Sequence, residues 1–232
     1  MHLETLLYML LQSDKTVPPP GVIPDFEALA NKARSAAVPN QWITVPAQKI
    51  TVGMNDPEND LGPDRYFGWD NEKPVRQIDV PAFESQARPL TNEDYARFLE
   101  QTRQRKVPAS WITTSNDPTA RNRDGMNGSS AYMNGLSPPL SVAFMNGKAV
   151  RTVYGPVPLK YALDWPVFAS YDELAACAEW MDGRIPTVEE ARSIYNYADV
   201  QEFKEADGIL TRKISAVNGY RISSILSAQD YY

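Results

Sequence analysis

An α+β fold is predicted from three observations: helix starts marked by Ser/Thr-x-x-acid capping boxes, short strands rich in aromatic and β-branched residues between them, and no strand-helix-strand repeat of the kind that builds a parallel sheet. The 232 residues are 43% hydrophobic and 10% aromatic, enough for a packed core. Lys and Arg number 23 against 29 Asp and Glu, a net charge of -6, so the basic footprint of a nucleic-acid binder is missing and no nucleic-acid partner is expected. His2 and Cys177 are the only histidine and cysteine. Three-histidine metal sites, Ser/His/Asp or Cys/His arrays and thiolate-ligated zinc therefore need partners that this chain does not own.

Leu3, Leu6, Leu7 and Leu10 fall at i, i+3, i+4 and i+7, which predicts a helix beginning at residue 2. A helix that opens a chain without a cap reads as the end of something longer. Pro18-Pro19-Pro20-Gly21 then makes an extended linker. The apolar run 6–11 follows Glu4 rather than a basic segment and is too short for a bilayer, so neither a signal peptide nor a membrane span is expected. With an unpaired cysteine, this points to the reducing cytoplasm. A second helix is predicted over 26–36, capped by Asp25 and closed by Pro39.

From Gln41 onward the texture is β. Residues 42–45 read as a strand, and Ile50, Val52 and Met54 alternate in the next. Residues 55–74 form a polar loop whose carboxylates, Asp56, Glu58 and Asp60 among them, are read as turn and solvated groups, because Pro57 and Pro63 interrupt the ligand spacing of a calcium loop. One strand is expected over 76–83, a long surface loop over 112–139, and a hairpin of 140–144 with 148–154 turning at Asn146-Gly147. The sequon Asn127-Gly128-Ser129 falls in that loop.

Capping boxes at Thr91/Asp94, Ser170/Glu173 and Thr187/Glu190 start three helices. Their apolar faces are Tyr95, Phe98 and Leu99, then Tyr171, Leu174, Ala175, Ala178 and Met181, then Ala191, Ile194, Tyr195 and Ala198. Gly183 is expected at the C′ position of the second. Cys177, one turn from Leu174, is assigned to core packing, Glu190 to capping and Glu189 to solvent. Tyr66, Phe67, Trp69 and Trp111 are read as core or loop anchors, with surface stacking on a ligand as the alternative. No phosphate loop, nucleotide fingerprint or fixed-period repeat occurs.

Two blocks carry a family resemblance. The first holds Asp70-Asn71-Glu72-Lys73-Pro74, Val80-Pro81-Ala82-Phe83 and Arg88-Pro89-Leu90-Thr91-Asn92-Glu93-Asp94-Tyr95-Ala96-Arg97-Phe98-Leu99. The second holds Trp165-Pro166-Val167, Tyr171-Asp172-Glu173-Leu174, Ala178-Glu179-Trp180 and Gly183-Arg184-Ile185-Pro186-Thr187-Val188-Glu189-Glu190-Ala191. In order and spacing they resemble the formylglycine-generating-enzyme (sulfatase-modifying-factor) domain, which implies a C-type-lectin-like fold. The opening Met1-His2-Leu3-Glu4-Thr5-Leu6-Leu7-Tyr8-Met9-Leu10 and the loop 59–70 are similar to the fungal branch of the ergothioneine sulfoxide synthases. There an iron-binding helical bundle precedes such a domain.

The resemblance implies an α+β chain divided into 1–40, the remnant helix of an iron-binding bundle plus linker; 41–198, the N-terminal part of a formylglycine-generating-enzyme-type domain; and 199–232, a divergent tail. It implies a parent enzyme that uses non-haem Fe(II) and oxygen to join hercynine to cysteine or γ-glutamylcysteine. His2 corresponds to one metal-ligating histidine, the others lying outside this chain. The segments that supply most substrate-contacting and proton-donating residues in the family are absent too, so no catalytic residue is assigned here. One imidazole at a frayed terminus is expected to bind iron poorly. The ends read as a truncated gene product, an intron readthrough or a frameshift. The alternatives are a noncatalytic fragment that binds a partner or self-associates through exposed core surface, and a formylglycine-generating oxidase, against which the lone Cys177 counts.

Overall fold

The computed structural model describes residues 2–13, 15–37, 40–56, 68–113 and 140–205. The described residues form two compact units, one from 2–13, 15–37, 89–113 and 140–185, the other from 40–56, 68–88 and 186–205.

In the first unit, helix α1 (His2–Leu11) is followed by the proline linker and by α2 (Phe26–Ser35), whose cap Asp25 accepts the Ala28 N–H at 2.9 Å. Helices α3 (Asn92–Gln101) and α5 (Tyr171–Trp180) supply most of the core. Tyr95, Phe98 and Leu99 of α3 meet Cys177 and Trp180 of α5, with Trp111, Phe144, Val150, Leu159, Ala162 and Met181 around them. The rings pack edge to face or tilted, Tyr95 against Trp111 at 6.0 Å and Phe98 against Trp180 at 5.8 Å. Truncating any of these large side chains would leave a cavity, at about 2–5 kcal/mol each.

Both capping boxes form as the sequence predicts: Thr91 with Asp94, and Ser170 with Glu173. Both helices end in Schellman turns. In α5 the left-handed C′ residue is Asp182 (φ 58), and the Gly183 N–H reaches back to the Ala178 carbonyl at 2.8 Å. Gly183 is therefore one position beyond the expected C′, because the helix closes at Trp180 and aspartate tolerates the left-handed region. Arg103 (φ 55) is the C′ residue of α3, with the Gln104 N–H on the Leu99 carbonyl at 2.9 Å. Tyr171, expected on the apolar face of α5, is instead 71% exposed.

A three-stranded antiparallel sheet has the order β5 (Trp111–Thr113), β6 (Lys148–Thr152), β7 (Gly155–Pro158). The hairpin predicted across Asn146-Gly147 is not there. Residues Val142–Met145 form a single helical turn, α4, because Ser141 caps it through the Phe144 N–H and is itself held by Glu100 of α3. The hairpin turn lies at Val153-Tyr154, where Thr152 Oγ1 donates to the Gly155 carbonyl at 2.7 Å. Most of the predicted loop 112–139 lies outside the described residues, and so does the sequon.

In the second unit β1 (Trp42–Val45) pairs antiparallel with β4 (Phe83–Gln86), and β2 (Gln48–Val52) with β3 (Arg76–Val80). The strand expected over 76–83 is broken in two at Pro81-Ala82. Pro46-Ala47 lies opposite on the partner segment, and neither proline has an N–H to give to the ladder. Helix α6 (Val188–Glu205) starts from the predicted Thr187/Glu190 box and lies against these strands, Gln48 Nε2 donating to the Ser193 carbonyl at 2.9 Å, and Val45 and Ile50 are buried. Residues 206–232 lie outside the described residues.

Candidate functional site

His2 occupies the first turn of α1, and its side chain is outside the described set. Leu3, Leu6, Met9 and Leu10 of that helix are exposed, while Leu7 and Leu11 are half-buried. The linker is not free. Thr16 Oγ1 donates to the Leu10 carbonyl at 2.7 Å, and Phe26 sets its ring edge-on to Tyr154 and Trp165, at 6.3 and 6.0 Å. Tyr161 donates its hydroxyl to Glu27 at 3.1 Å.

The ribbon tip of the second unit carries a carboxylate that the sequence reading misplaces. Asp56, expected to be solvated, has a fully buried side chain. Its carboxylate accepts the Gly68 N–H at 2.9 Å and stands 3.9 Å from Lys73 Nζ. Burial of this carboxyl is tolerable because a hydrogen bond and a cation are both supplied. The only sequence signal was a lysine after a run of acids. Glu58, Asp60, Tyr66 and Phe67 lie outside the described residues; Trp69 is 67% exposed.

Trp111 takes the anchoring role expected of it, inside the core. It is 3% exposed, and its indole N–H donates to Asn92 Oδ1 at 2.9 Å, while Asn92 Nδ2 donates to the Ala162 carbonyl at 2.9 Å. The Asn92 N–H, the Glu93 N–H and the Leu90 carbonyl bond in turn to Trp165, Leu163 and Val167, fastening the segment 163–167 to the start of α3. Asn92 was missed; an amide directly after a threonine cap, where nothing in the helix needs one, was its signal.

Cys177 is fully buried, and burial, then the nearby Asp94 charge, pushes its thiol up to about 12. Burial likewise drives the Tyr95 hydroxyl above its ordinary value, with Glu173 and Cys177 adding to the effect. Both groups therefore stay protonated and inert at neutral pH. The Glu173 carboxyl goes the other way, held below its ordinary value by the Ser170 N–H at 2.9 Å and by Lys106 at 3.3 Å. Glu190 caps α6, and Glu189, expected in solvent, is half-buried. Among the described residues, no three His, Cys, Asp or Glu side chains converge in a way that could hold a metal ion.

Residues 27–204 match the sulfatase-modifying factor enzyme 1-like domain, more than half of the chain. The chain belongs to that family. It is also similar to two curated proteins named ergothioneine biosynthesis protein 1. With the one from Neurospora crassa it is 53% identical over 223 residues, 95% of this chain and 25% of the relative. With the one from Schizosaccharomyces pombe it is 31% identical over 219 residues, 84% of this chain and 24% of the relative. The chain thus spans about a quarter of the length of these relatives. The mixed helices and small sheets fit the α+β architecture expected of the family domain. No helix among the described residues is long and apolar enough to cross a membrane.

Proposed function

We propose that this chain is part of a sulfoxide synthase of ergothioneine biosynthesis, joining the sulfur of cysteine or γ-glutamylcysteine to hercynine with non-haem Fe(II) and oxygen. The observation that carries this is the reach of the likeness: 53% identity to a protein named for that pathway extends over 223 residues, beyond the 27–204 that the domain family accounts for. A shared domain alone would not produce it.

Residues 1–40 are then the last helix of an iron-binding bundle and its linker, 41–198 the formylglycine-generating-enzyme-type domain, and 199–232 a divergent tail. His2 supplies one imidazole ligand. The residues present do not fit the ion by themselves: the chain has one histidine, and the buried Asp56 is already engaged by Gly68 and Lys73. Alone, the chain is expected to be inactive and to self-associate through exposed residues such as Leu3, Leu6 and Met9. A cytoplasmic setting keeps the lone Cys177 a thiol.

The test is a chimera in which residues 1–198 replace the aligned segment of the Neurospora protein. With Fe(II), oxygen, hercynine and each thiol, it should form the sulfoxide product detected by mass spectrometry, and His2→Ala should abolish that product. A folded chimera that forms no product, or one indifferent to His2→Ala, would overturn the assignment.

A further inference from the structure

Helix α1 has ten residues, fewer than the roughly 12–15 at which an isolated helix holds its shape in water. Much of its apolar face is bare, Leu3 being 72% and Met9 64% exposed, and Leu7 and Leu11 are only half-buried, so burial gives it limited support. Its C-terminal end adds more. The amides of Gln12 and Ser13 bond to the carbonyls of Met9 and Leu10, and Thr16 Oγ1 caps the Leu10 and Ser13 carbonyls at 2.7 and 3.3 Å. The Thr16 carbonyl then lies 3.2 Å from the position a Cβ on Gly155 would take. Gly155, at φ +93, follows Tyr154 in the β6–β7 turn, and Tyr154 is a residue that the Phe26 ring meets. The linker therefore touches the same turn twice, at Thr16 before the prolines and at Phe26 after them.

We propose that Thr16 and Phe26 clamp the linker on the β6–β7 turn, fixing where the His2-bearing helix ends and the direction in which it leaves the domain. Thr16, Phe26 and Gly155 are positioning residues in this scheme. Glycine at 155 is required twice, for its backbone angle and for the close pass of the Thr16 carbonyl. Pro18-Pro19-Pro20 between the two contacts stiffens the span, so ordering at either end carries to the other. The importance of the clamp for an iron ligand rests on the proposed function; the clamp itself does not.

Hydrogen exchange followed by mass spectrometry on the purified chain tests it. The α1 amides should exchange at least about tenfold more slowly than in a free peptide of residues 1–15, while Thr16→Val and Phe26→Ala should bring them to the peptide rate with α3 and α5 unchanged. Gly155→Val should do the same; if it also loosens β6, Thr16→Val, which leaves the turn intact, decides. Peptide-like exchange of α1 in the unaltered chain, or full protection in Thr16→Val, would overturn the clamp. An inactive chimera whose α1 is protected would count against the function while leaving the clamp in place.

Discussion

Asn92→Leu removes a single polar hub while keeping the side chain's branched shape. Asn92 is 1% exposed and joins three parts of the first unit: its own helix, the indole of Trp111 on β5, and the carbonyl of Ala162. Leucine would leave the Trp111 N–H buried without an acceptor, about 1–3 kcal/mol. The Ala162 carbonyl would lose one partner but keep the Trp165 N–H at 3.2 Å, which limits that loss to about 1 kcal/mol. The sum is about 2–4 kcal/mol, and with a urea m-value near 2 kcal/mol/M the midpoint should fall by about 1–2 M. Urea unfolding followed by near-ultraviolet circular dichroism reads it. Trp111→Phe in the same background completes a double-mutant cycle, expected to return a coupling of about 1–2 kcal/mol, since removing both partners leaves no orphaned donor. A single-variant cost below about 0.5 kcal/mol, or strict additivity, would refute the hub.

Cys177 should resist iodoacetamide in the native protein at pH 8 and react fully in denaturant; rapid native alkylation would contradict its burial. Its folded value of about 12 exceeds the ordinary 8.5, so stability should be fully present below about pH 8.5 and fall as pH rises toward 12, with a shallower fall in Cys177→Ala. Glu173 has the opposite sign: the advantage of the native residue over Glu173→Gln, about 1 kcal/mol at pH 7, should vanish in melts at acid pH as its lowered carboxyl value is passed, and an unchanged difference there would count against a charged cap. Arg103→Gly should raise stability by about 0.5–1 kcal/mol by relieving a left-handed residue at the end of α3. In Gly53→Ala (φ +82) the new Cβ would lie 2.6 Å from the Pro74 carbonyl and 2.9 Å from the Glu72 carbonyl, which already accepts the Met54 N–H at 2.8 Å; a loss of about 3 kcal/mol and of exchange protection in β2 and β3 is expected.

Whatever was encoded within three or four residues was readable. Thr91/Asp94, Ser170/Glu173 and Thr187/Glu190 each contain both halves of their own hydrogen-bond exchange, and the structure forms all three. The errors have distant causes. Asn146-Gly147 is a sound hairpin signal, but Glu100, 41 residues earlier, binds Ser141 and turns 142–145 into a helix. Asp56 looked solvated because its partner, the Gly68 N–H, is a backbone group 12 residues away that composition does not mark. Trp111 is the anchor it was expected to be, but its acceptor Asn92 lies on another element and was not marked. The break at Pro81 is the exception, because a missing N–H is a local signal and the strand expected over 76–83 ran across it. His2 gained meaning only from the resemblance, and the contact between Thr16 and Gly155 left no trace in either residue's neighbourhood.

The capping pattern also constrains how this part of the protein can meet an anionic ligand. A helix N-terminus attracts a carboxylate because its first amides lack partners and its dipole end is positive. In α3, α5 and α6 those amides are met by Thr91, Ser170 and Thr187, and Asp94, Glu173 and Glu190 already place a negative charge at each positive end. Asp25 does the same for α2. An incoming carboxylate would have to displace a local, pre-organised one and face its repulsion, in a chain whose net charge is already -6. For a ligand bearing a carboxylate, the ends of α2, α3, α5 and α6 are thus closed, which leaves guanidinium and ammonium side chains as the stronger grip among these elements. These work through bidentate or point-charge contact, so loss of the right arginine should weaken binding of such a ligand without loosening a helix end.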